Sequence, residues 1–168
     1  NNNAKLYANK AEGFVGINLK KEDNAEFICD CSDLSEIIVI RKDGKYLVTK
    51  VSEKAFFGKD ILYVGLFDRN DQRTTYNVIY REGKTSISYA KRFNVTSVTR
   101  DKEYDITQGT PGSTILWFTV NHNAEAETVK IYYRQRPKLK KLIDEYDFSQ
   151  LLIKGRASRG NLVSKNSI

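Results

Sequence analysis

The sequence contains no methionine, two cysteines, two prolines and one histidine among its 168 residues. A structural zinc site needs about four ligands, so Cys29, Cys31 and His122 are too few for a site built from Cys and His. If their segment is a strand, both cysteines point to one face, and we expect them to be reduced thiols packed in a core. A single histidine without a nucleophile pattern beside it argues against Ser-His-Asp or Cys-His catalysis. We therefore predict no catalytic residue, no metal and no cofactor.

Long apolar runs are also missing. No run approaches the ~20 residues that cross a bilayer, so we predict no contact with a membrane. Because the chain has no methionine, we expect it to be a piece of a longer protein. Its residues are 40% hydrophobic and 11% aromatic, which is enough to build a folded core rather than a disordered chain.

Positive charge is concentrated at one end of the chain, whose formal net charge is +7. Residues 1–129 contain 18 Lys+Arg and 18 Asp+Glu, whereas residues 130–168 contain 10 Lys+Arg and 3 Asp+Glu. The whole surplus therefore lies in the last 39 residues. Such a block attracts polyanions, with nucleic acid as the leading candidate. The alternative is a solvated basic surface near a chain end.

Five segments share one pattern, in which two β-prone runs are joined by a tight polar turn. A pair such as Asp-Gly between alternating apolar residues is a strong signal for a β-hairpin. The predicted hairpins and their turns are Leu6–Ile17 at Glu12-Gly13, Ile37–Val51 at Asp43-Gly44, Tyr76–Tyr89 at Glu82-Gly83, Ile115–Tyr133 at His122–Glu125, and Leu151–Ser164 at Arg159-Gly160.

The turns recur 31 to 41 residues apart. A period near this length is typical of a propeller blade of about four short strands. The segments between the hairpins, such as Ile61–Phe67 and Phe93–Thr99, are also β-like, so each repeat can contribute further strands. We predict an all-β fold of about four blades in a single domain, residues 1–168.

One stretch has the i, i+3, i+4, i+7 spacing of an amphipathic helix: Leu139, Leu142, Ile143 and Tyr146. The same stretch also fits a strand that continues from Tyr132–Lys138. We favour the strand, with a short helical turn near Asp147–Leu151 as a further option.

The segment Lys130–Lys140 alternates cations with apolar residues. Read as a strand, one face carries Lys130, Tyr132, Arg134, Arg136, Lys138 and Lys140, and the other carries Val129, Ile131, Tyr133, Gln135, Pro137 and Leu139. Residues on one face of a strand stand roughly 6.5 Å apart, so several cations can meet successive phosphates of a duplex. Because Pro137 cannot donate to a ladder, the strand is expected at a sheet edge. The alternative is an edge strand that cations protect against aggregation.

A second basic segment follows near the end of the chain. Lys154, Arg156, Ser158 and Arg159 offer donors that suit phosphate oxygens, and two glycines free the backbone among them. The alternative is an ordinary basic hairpin. The turn cluster Gly109–Ser113 fits a structural turn better than a phosphate cradle.

Taken together, several stretches resemble the C-terminal domains of the A subunits of bacterial topoisomerase IV, a type IIA topoisomerase with gyrase A-like C-terminal repeats. The stretches are Glu12–Gly16, Cys29–Asp33, Arg41–Tyr46, Thr99–Asp105, Gln108–Ser113 and Lys154–Asn161. They occur in order over nearly the whole chain. The gyrase box Q-R-R-G-G-K-G is absent, which favours topoisomerase IV over a gyrase wrapping domain.

This resemblance implies a β-pinwheel, a propeller-like disc whose blades exchange a hairpin with their neighbours and whose basic rim binds and bends duplex DNA without reading its sequence. About four blades are fewer than a closed disc needs, so the array is expected to be open. The implied partners are double-stranded DNA, the N-terminal breakage-reunion region of the same subunit, which holds the active-site tyrosine, and the ATPase B subunit. The implied location is the cytoplasm, on the nucleoid.

The residues expected to contact DNA come from the two basic segments and from scattered cations that could join them. They are Lys91, Arg92, Arg100, Lys102, Lys130, Arg134, Arg136, Lys138, Lys140, Lys141, Lys154, Arg156, Ser158 and Arg159. Two other functions stay open at this stage. One is a propeller-like scaffold that docks an acidic protein. The other is a secreted adhesion module, which the Asn94-Val95-Thr96 acceptor permits but the missing disulfide framework disfavours.

Overall fold

The computed structural model of the chain describes residues 2–20, 23–122, 128–133, 143–153 and 159–165. Over these residues the fold is all-β, as predicted. The strands are β1 Ala4–Asn9, β2 Phe14–Gly16, β3 Glu26–Cys31, β4 Glu36–Arg41, β5 Lys45–Lys50, β6 Ala55–Phe56, β7 Ile61–Phe67, β8 Thr75–Arg81, β9 Ser88–Phe93, β10 Tyr104–Asp105, β11 Thr114–Asn121, β12 Thr128–Tyr132, β13 Ile143–Asp147 and β14 Asn161–Ser164.

The strands form small antiparallel sheets. Sheet A has the strand order β3-β1-β2-β6, sheet B has β10-β5-β4-β7, sheet C has β11-β8-β9-β14, and sheet D is the pair β12-β13. The prediction of about four blades is thus confirmed, with sheet D two-stranded over the described residues.

The chain divides into two compact units. Unit 1 consists of Asn1–Asn70 with Ser97–Asp105 and contains sheets A and B, and unit 2 consists of Asp71–Thr96 with Ile106–Ile168 and contains sheets C and D. The assignment of the whole chain to a single domain stays a prediction.

Each four-stranded sheet takes one edge strand from beyond the next hairpin. β6 follows the β4-β5 hairpin of sheet B but pairs with β2 of sheet A. In the same way β10 follows the β8-β9 hairpin and pairs with β5, and β14 follows the β12-β13 pair and pairs with β9. We call β6, β10 and β14 the exchanged strands. This exchange between successive sheets is the arrangement expected of an open β-pinwheel.

Three of the five predicted hairpins are confirmed, namely β1-β2, β4-β5 and β8-β9. Gly13 and Gly44 both have φ of +92°, a left-handed conformation that glycine adopts without a steric penalty. Gly83 is required for a different reason, because a Cβ there would lie 2.0 Å from the Pro111 carbonyl oxygen. Gly13 has such a contact as well, 2.0 Å from the Gly58 carbonyl oxygen.

The hairpin predicted at Ile115–Tyr133 is wrong. β11 pairs with β8 along its whole length, from Thr114↔Arg81 to Asn121↔Thr75, while β12 pairs with β13. β11 and β12 therefore belong to different sheets. In the hairpin predicted at Leu151–Ser164, residues 154–158 of the first run lie outside the described residues, so this hairpin stays a prediction. Within the described residues, 151–153 are not in a strand and β14 pairs with β9. The predicted β-like segment 93–99 likewise contains strand only at Phe93, where β9 ends.

The preference for a strand over a helix near residue 143 is confirmed where the structure describes it. Residues Ile143–Asp147 form β13, and a 3-10 turn follows at Phe148–Gln150. Asp147 begins this turn, and its carboxylate accepts a hydrogen bond from the Ser149 amide. Leu139 and Leu142 lie outside the described residues. Within the described part of the chain, the structure has no helix long and apolar enough to cross a membrane.

Each unit has its own hydrophobic core. In unit 1, sheet A packs on sheet B through Leu6, Ala8, Val15, Cys31, Ile37, Val39 and Val64. In unit 2, sheet C packs on sheet D through Ile79, Ala90, Ile131 and Phe148. β1 and β12 alternate buried with more exposed residues, whereas β8 is buried at every position but its last.

The two cysteines lie on the core face of β3, as predicted. Cys31 is fully buried, Cys29 is half-buried, and both are free thiols. Burial, followed by neighbouring negative groups, raises the pKa of both thiols. They therefore behave as packing residues rather than nucleophiles.

Candidate nucleic-acid interface

β12 shows the alternation predicted for the start of the basic segment. Ile131 is 4% exposed and packs in the core of unit 2, with Val129 and Tyr133 beside it. Lys130 is exposed and Tyr132 is 61% exposed. The strand therefore presents Lys130 and Tyr132 outward over the part that the structure describes.

The outer face of sheet D is not as cationic as the single strand suggested. Lys130 stands directly opposite Glu145, and Thr128 stands opposite Asp147. Both acids are exposed. A face read from one strand omits what the neighbouring strand contributes, and here that neighbour is acidic. The row of cations predicted on one face of Lys130–Lys140 continues outside the described residues and stays a prediction.

Eight of the predicted contact residues lie outside the described residues. They are Arg134, Arg136, Lys138, Lys140, Lys141, Lys154, Arg156 and Ser158. The first five occur between Tyr132 and Ile143, which are paired across the β12-β13 ladder.

Arg159 is exposed and immediately precedes Gly160 and the exchanged strand β14. The Gly160 amide donates to the Tyr80 hydroxyl at 3.2 Å. A Cβ on Gly160 would lie 2.8 Å from the Ala90 carbonyl oxygen, so the backbone approaches β9 closely. The backbone at Gly160, next to Arg159, is thus held against sheet C.

Lys91 and Arg92 are not surface cations, which corrects the prediction that they join the basic surface. Lys91 is 1% exposed and Arg92 is 9% exposed. The Lys91 Nζ donates to the Ile106 carbonyl at 3.4 Å and lies 4.9 Å from the centre of the Phe93 ring. A cation held this way is engaged inside unit 2 and is not presented to a duplex.

Arg100 is exposed but shares a carboxylate with a second arginine. Its Nε lies 3.0 Å from Glu36 Oε2, and Arg69 binds the same carboxylate through bonds of 2.7 and 2.9 Å. Arg69 also donates to the Val98 carbonyl at 2.7 Å. The hydrogen bonds from Arg69 lower the pKa of Glu36, and those from Arg100 add to this effect against the opposing influence of burial. Arg100 therefore anchors its segment on sheet B.

Lys102, also exposed, lies in the same segment of unit 1. Its Nζ is 5.3 Å from the centre of the Tyr104 ring, within range of a cation–π contact. Neither Arg100 nor Lys102 belongs to the unit that contains the two basic segments.

The turn at residues 109–113 is structural, as predicted. Gly109 and Gly112 have φ of +81° and +83°. The Ser113 hydroxyl accepts from the Gly83 amide at 3.0 Å, so the turn packs against the β8-β9 hairpin. The Ser113 hydroxyl is therefore engaged within the protein.

Three cations near the β8-β9 turn were not predicted from the sequence. Arg81 ends β8, Lys84 is exposed in the turn, and Lys165 is exposed directly after β14. β14 pairs with β9, which brings Lys165 back toward this turn. Arg81 ends β8, as Arg41 ends β4, the equivalent strand of sheet B. Aligning the repeats on these two arginines could have predicted the cluster from the sequence.

The two units differ sharply in charge. Unit 1 contains 13 Lys+Arg and 14 Asp+Glu, a net of −1, whereas unit 2 contains 15 Lys+Arg and 7 Asp+Glu, a net of +8. Many unit 1 cations are also paired with acids. These pairs include Lys5–Asp30, Lys10–Glu26, Arg41–Asp43, Lys45–Glu103, Lys59–Glu12 and Arg69–Glu36. A polyanion is therefore attracted to unit 2.

Comparison with known proteins gives two findings. A family model described as topoisomerase C-terminal domain, Bacteroidota, matches residues 5–168. The A subunit of DNA topoisomerase 4 from Borreliella burgdorferi is 31% identical over 104 residues, which is 61% of this chain and 16% of that protein. The chain thus spans less than a fifth of the length of this relative.

Proposed function

The chain belongs to the topoisomerase C-terminal domain family of Bacteroidota, and from this premise we propose that it binds and bends duplex DNA without sequence preference. In this role it positions a DNA segment for strand passage by a type IIA topoisomerase of the topoisomerase IV kind. The chain itself is non-catalytic. Strand passage is carried out by the ATPase B subunit with the breakage-reunion region of this chain's own subunit, in the cytoplasm and on the nucleoid.

The observation that carries this proposal is the net charge of +8 in unit 2 against −1 in unit 1. Duplex DNA holds a dense atmosphere of counterions, and each phosphate that a cation neutralises releases some of them. Binding driven this way depends on charge and not on base identity. It therefore suits a module that must accept any sequence.

The strongest contribution is assigned to the cations between β12 and β13. Arg134, Arg136, Lys138, Lys140 and Lys141 follow one another within eight residues, and Lys130 lies just before them on β12. We propose that Lys154, Arg156, Ser158 and Arg159 extend this surface next to β14. Lys91 is excluded from the surface because it is buried.

The free-energy cost of bending the duplex determines how many phosphate contacts the chain must make. Smoothly bending 20–30 base pairs costs on the order of 1–6 kcal/mol, which the added phosphate contacts must offset. If about six phosphates are contacted, the logarithm of the binding constant should fall with the logarithm of salt concentration at a slope of roughly −5.

Titration of a labelled duplex with the chain across a range of salt concentrations tests the proposal. We expect a slope of roughly −5 and similar affinities for unrelated sequences. A binding constant that does not change with salt would contradict it, and so would binding to one sequence only.

A second candidate function, a protein-interaction scaffold, has one observation in its favour. Phe27 and Phe56 on sheet A are 51% and 60% exposed, and they contact Tyr7 and Phe14 at ring distances of 5.7 and 5.2 Å. Exposed aromatic residues are enriched at protein interfaces. A chain that captures a protein partner through this face and shifts no duplex at low salt would support the scaffold over the DNA-binding role.

A further inference from the structure

Leu152 and Ile153 present apolar surface to solvent directly after the 3-10 turn of unit 2. Leu152 is 79% exposed, the highest value among the large apolar side chains of the described residues, and Ile153 is 41% exposed. We call these two residues the apolar tip. Single exposed leucines are common on protein surfaces. What distinguishes this tip is the support beneath it and the charge around it.

The turn that precedes the tip is fixed to the core of unit 2. The Phe148 ring is fully buried, and its centre lies 5.0 Å from that of Trp117 and 5.4 Å from that of Tyr146. The Asp147 carboxylate accepts hydrogen bonds from the amide and the hydroxyl of Ser149, at 2.9 and 2.7 Å. The turn is therefore anchored both by packing and by its cap.

Leu151 joins this turn to the tip and determines the direction in which the tip points. Its amide donates to the Phe148 carbonyl at 3.0 Å, and its side chain packs against the core of unit 2. Its φ of −93° and ψ of 138° are those of extended backbone, in which successive side chains point to opposite sides. Because Leu151 points toward the core, Leu152 points away from it. The tip is thus a firmly supported projection.

The sequence around the tip is cationic. Residues 148–165 contain no Asp or Glu and four cations, which are Lys154, Arg156, Arg159 and Lys165. Asp147, the acid directly before this stretch, is engaged with Ser149 in the cap. A polyanion is therefore attracted to the part of the chain that carries the tip.

Leu34 in unit 1 is a useful contrast, because it is nearly as exposed as Leu152. Its exposed fraction is 72%, but Asp33 directly precedes it and Glu36 follows two residues later. The same kind of side chain thus stands among acids in unit 1 and among cations in unit 2. Only the unit 2 side chain is in surroundings that favour a polyanion.

A supported apolar side chain among cations fits a known way of bending DNA. Proteins that bend a duplex from the minor groove frequently insert Leu, Ile, Phe, Met or Pro between two base steps, which unstacks them and kinks the duplex by roughly 20–90°. The inserted side chain leaves water, and this offsets part of the cost of unstacking. Cations on either side hold the flanking phosphates.

We propose that the apolar tip inserts between base pairs from the minor groove and kinks the duplex that unit 2 binds. This inference rests on the proposed function and adds to it the means of bending, which positive charge alone does not specify. Leu152 enters the base stack, and Ile153 contacts the wall of the groove. Insertion reads no base edge, although pyrimidine–purine steps, which unstack most easily, should be kinked most readily.

The double variant Leu152→Ala with Ile153→Ala in the 168-residue chain tests the insertion. Bending is measured by energy transfer between dyes at the two ends of a duplex of about 30 base pairs. We expect the variant to lose most of the bend and to bind about tenfold more weakly. Its slope against salt should equal that of the wild-type chain, because no phosphate contact is removed. Its melting temperature should not change, because Leu152 is largely exposed and Ile153 partly so.

A duplex with one mismatched base pair gives a second measurement. Unstacking costs least at a mismatched base, so the wild-type chain should bind this duplex about tenfold more tightly than the matched duplex. The double variant should bind the two duplexes equally well. A gain in charge contacts would not produce this preference, because both duplexes carry the same phosphates.

The matched control is Leu34→Ala, which should leave the affinity, the bend and the preference for the mismatch unchanged. If the wild-type chain binds and bends the duplex and the double variant bends it equally, the insertion is refuted while the proposed function stands. Absence of duplex binding by the wild-type chain would refute both. Loss of the bend together with a lower melting temperature would assign the two residues to packing and would also overturn the insertion.

Discussion

Units 1 and 2 build the same kind of sheet and use charge in opposite ways. In both units a central hairpin accepts an exchanged strand on one side, and one face packs on a second sheet. Unit 1 matches its cations with acids, as in Lys45–Glu103 and Arg69–Glu36, and has a net charge of −1. Unit 2 has a net charge of +8 on a comparable framework.

This difference shows that the fold and the charge are set by separate groups of residues. The buried residues of β4 and β8 build the sheets in both units, whereas the charge changes at turns and at the residues that flank exchanged strands. Glu103 before β10 and Gly160 before β14 are one such pair. A sheet of this kind can therefore gain or lose a surface that binds a polyanion while its buried core stays the same.

The largest effect is expected from removing charge from the basic stretch of unit 2. The variant Arg134→Gln, Arg136→Gln, Lys138→Gln and Lys140→Gln should make the salt slope less steep by about 4 and weaken binding on the order of 100-fold, for all sequences alike. The measurement is fluorescence anisotropy of labelled duplexes.

The control for this variant removes four unit 1 lysines that form ion pairs. Lys5→Gln, Lys10→Gln, Lys54→Gln and Lys59→Gln change the net charge by the same amount. We expect the slope to stay close to that of the wild-type chain. An equal loss in both variants would show that total charge matters and that the contrast between the units does not.

An intermediate effect is expected at Glu36, which holds two arginines in unit 1. Because the pKa of Glu36 is lower in the folded chain than in the unfolded chain, the interaction stabilises the fold above the ordinary pKa of the group and is lost as pH falls through the lowered value. Glu36→Gln should reduce the free energy of unfolding by roughly 1–3 kcal/mol near neutral pH. Chemical denaturation at several pH values should show that the difference in the free energy of unfolding between the wild-type chain and Glu36→Gln becomes smaller below pH about 4. DNA affinity should not change.

The smallest effect is a difference between two turn glycines. Gly13→Ala and Gly83→Ala both introduce a Cβ 2.0 Å from a carbonyl oxygen, but Gly13 also has φ of +92°. We expect Gly13→Ala to be more destabilising by about 1 kcal/mol, the cost of a left-handed conformation for alanine. Thermal unfolding of the two variants measures this difference, and equal destabilisation would contradict it.

The local parts of this fold could be predicted from the sequence. The turns at Gly13 and Gly44 are determined by residues next to them, and the alternation at Lys130–Tyr132 follows from the period of a strand. Exchange between blades is implied by the family resemblance, but which strands are exchanged could not be predicted. β6 and β10 have two residues each, and their partners are remote in sequence, so neither a period nor a turn marks them.

The candidate site was predictable only in part, for a similar reason. Lys91 has the sequence environment of a surface cation, yet β9 lies inside sheet C, where its side chain is buried. The acids opposite Lys130 and Thr128 come from β13, which the pattern of one strand cannot include. Charge counted along the chain thus identifies the unit with the positive net charge, but not which of its cations are exposed.

Lysine reactivity, measured by acetylation and mass spectrometry with and without duplex, tests the central claim that unit 2 is the DNA-binding unit. We predict that duplex protects Lys130, Lys84 and Lys165, and that Lys5, Lys42 and Lys59 of unit 1 react at the same rate in both states. Protection confined to unit 1, or protection spread equally over both units, would contradict it.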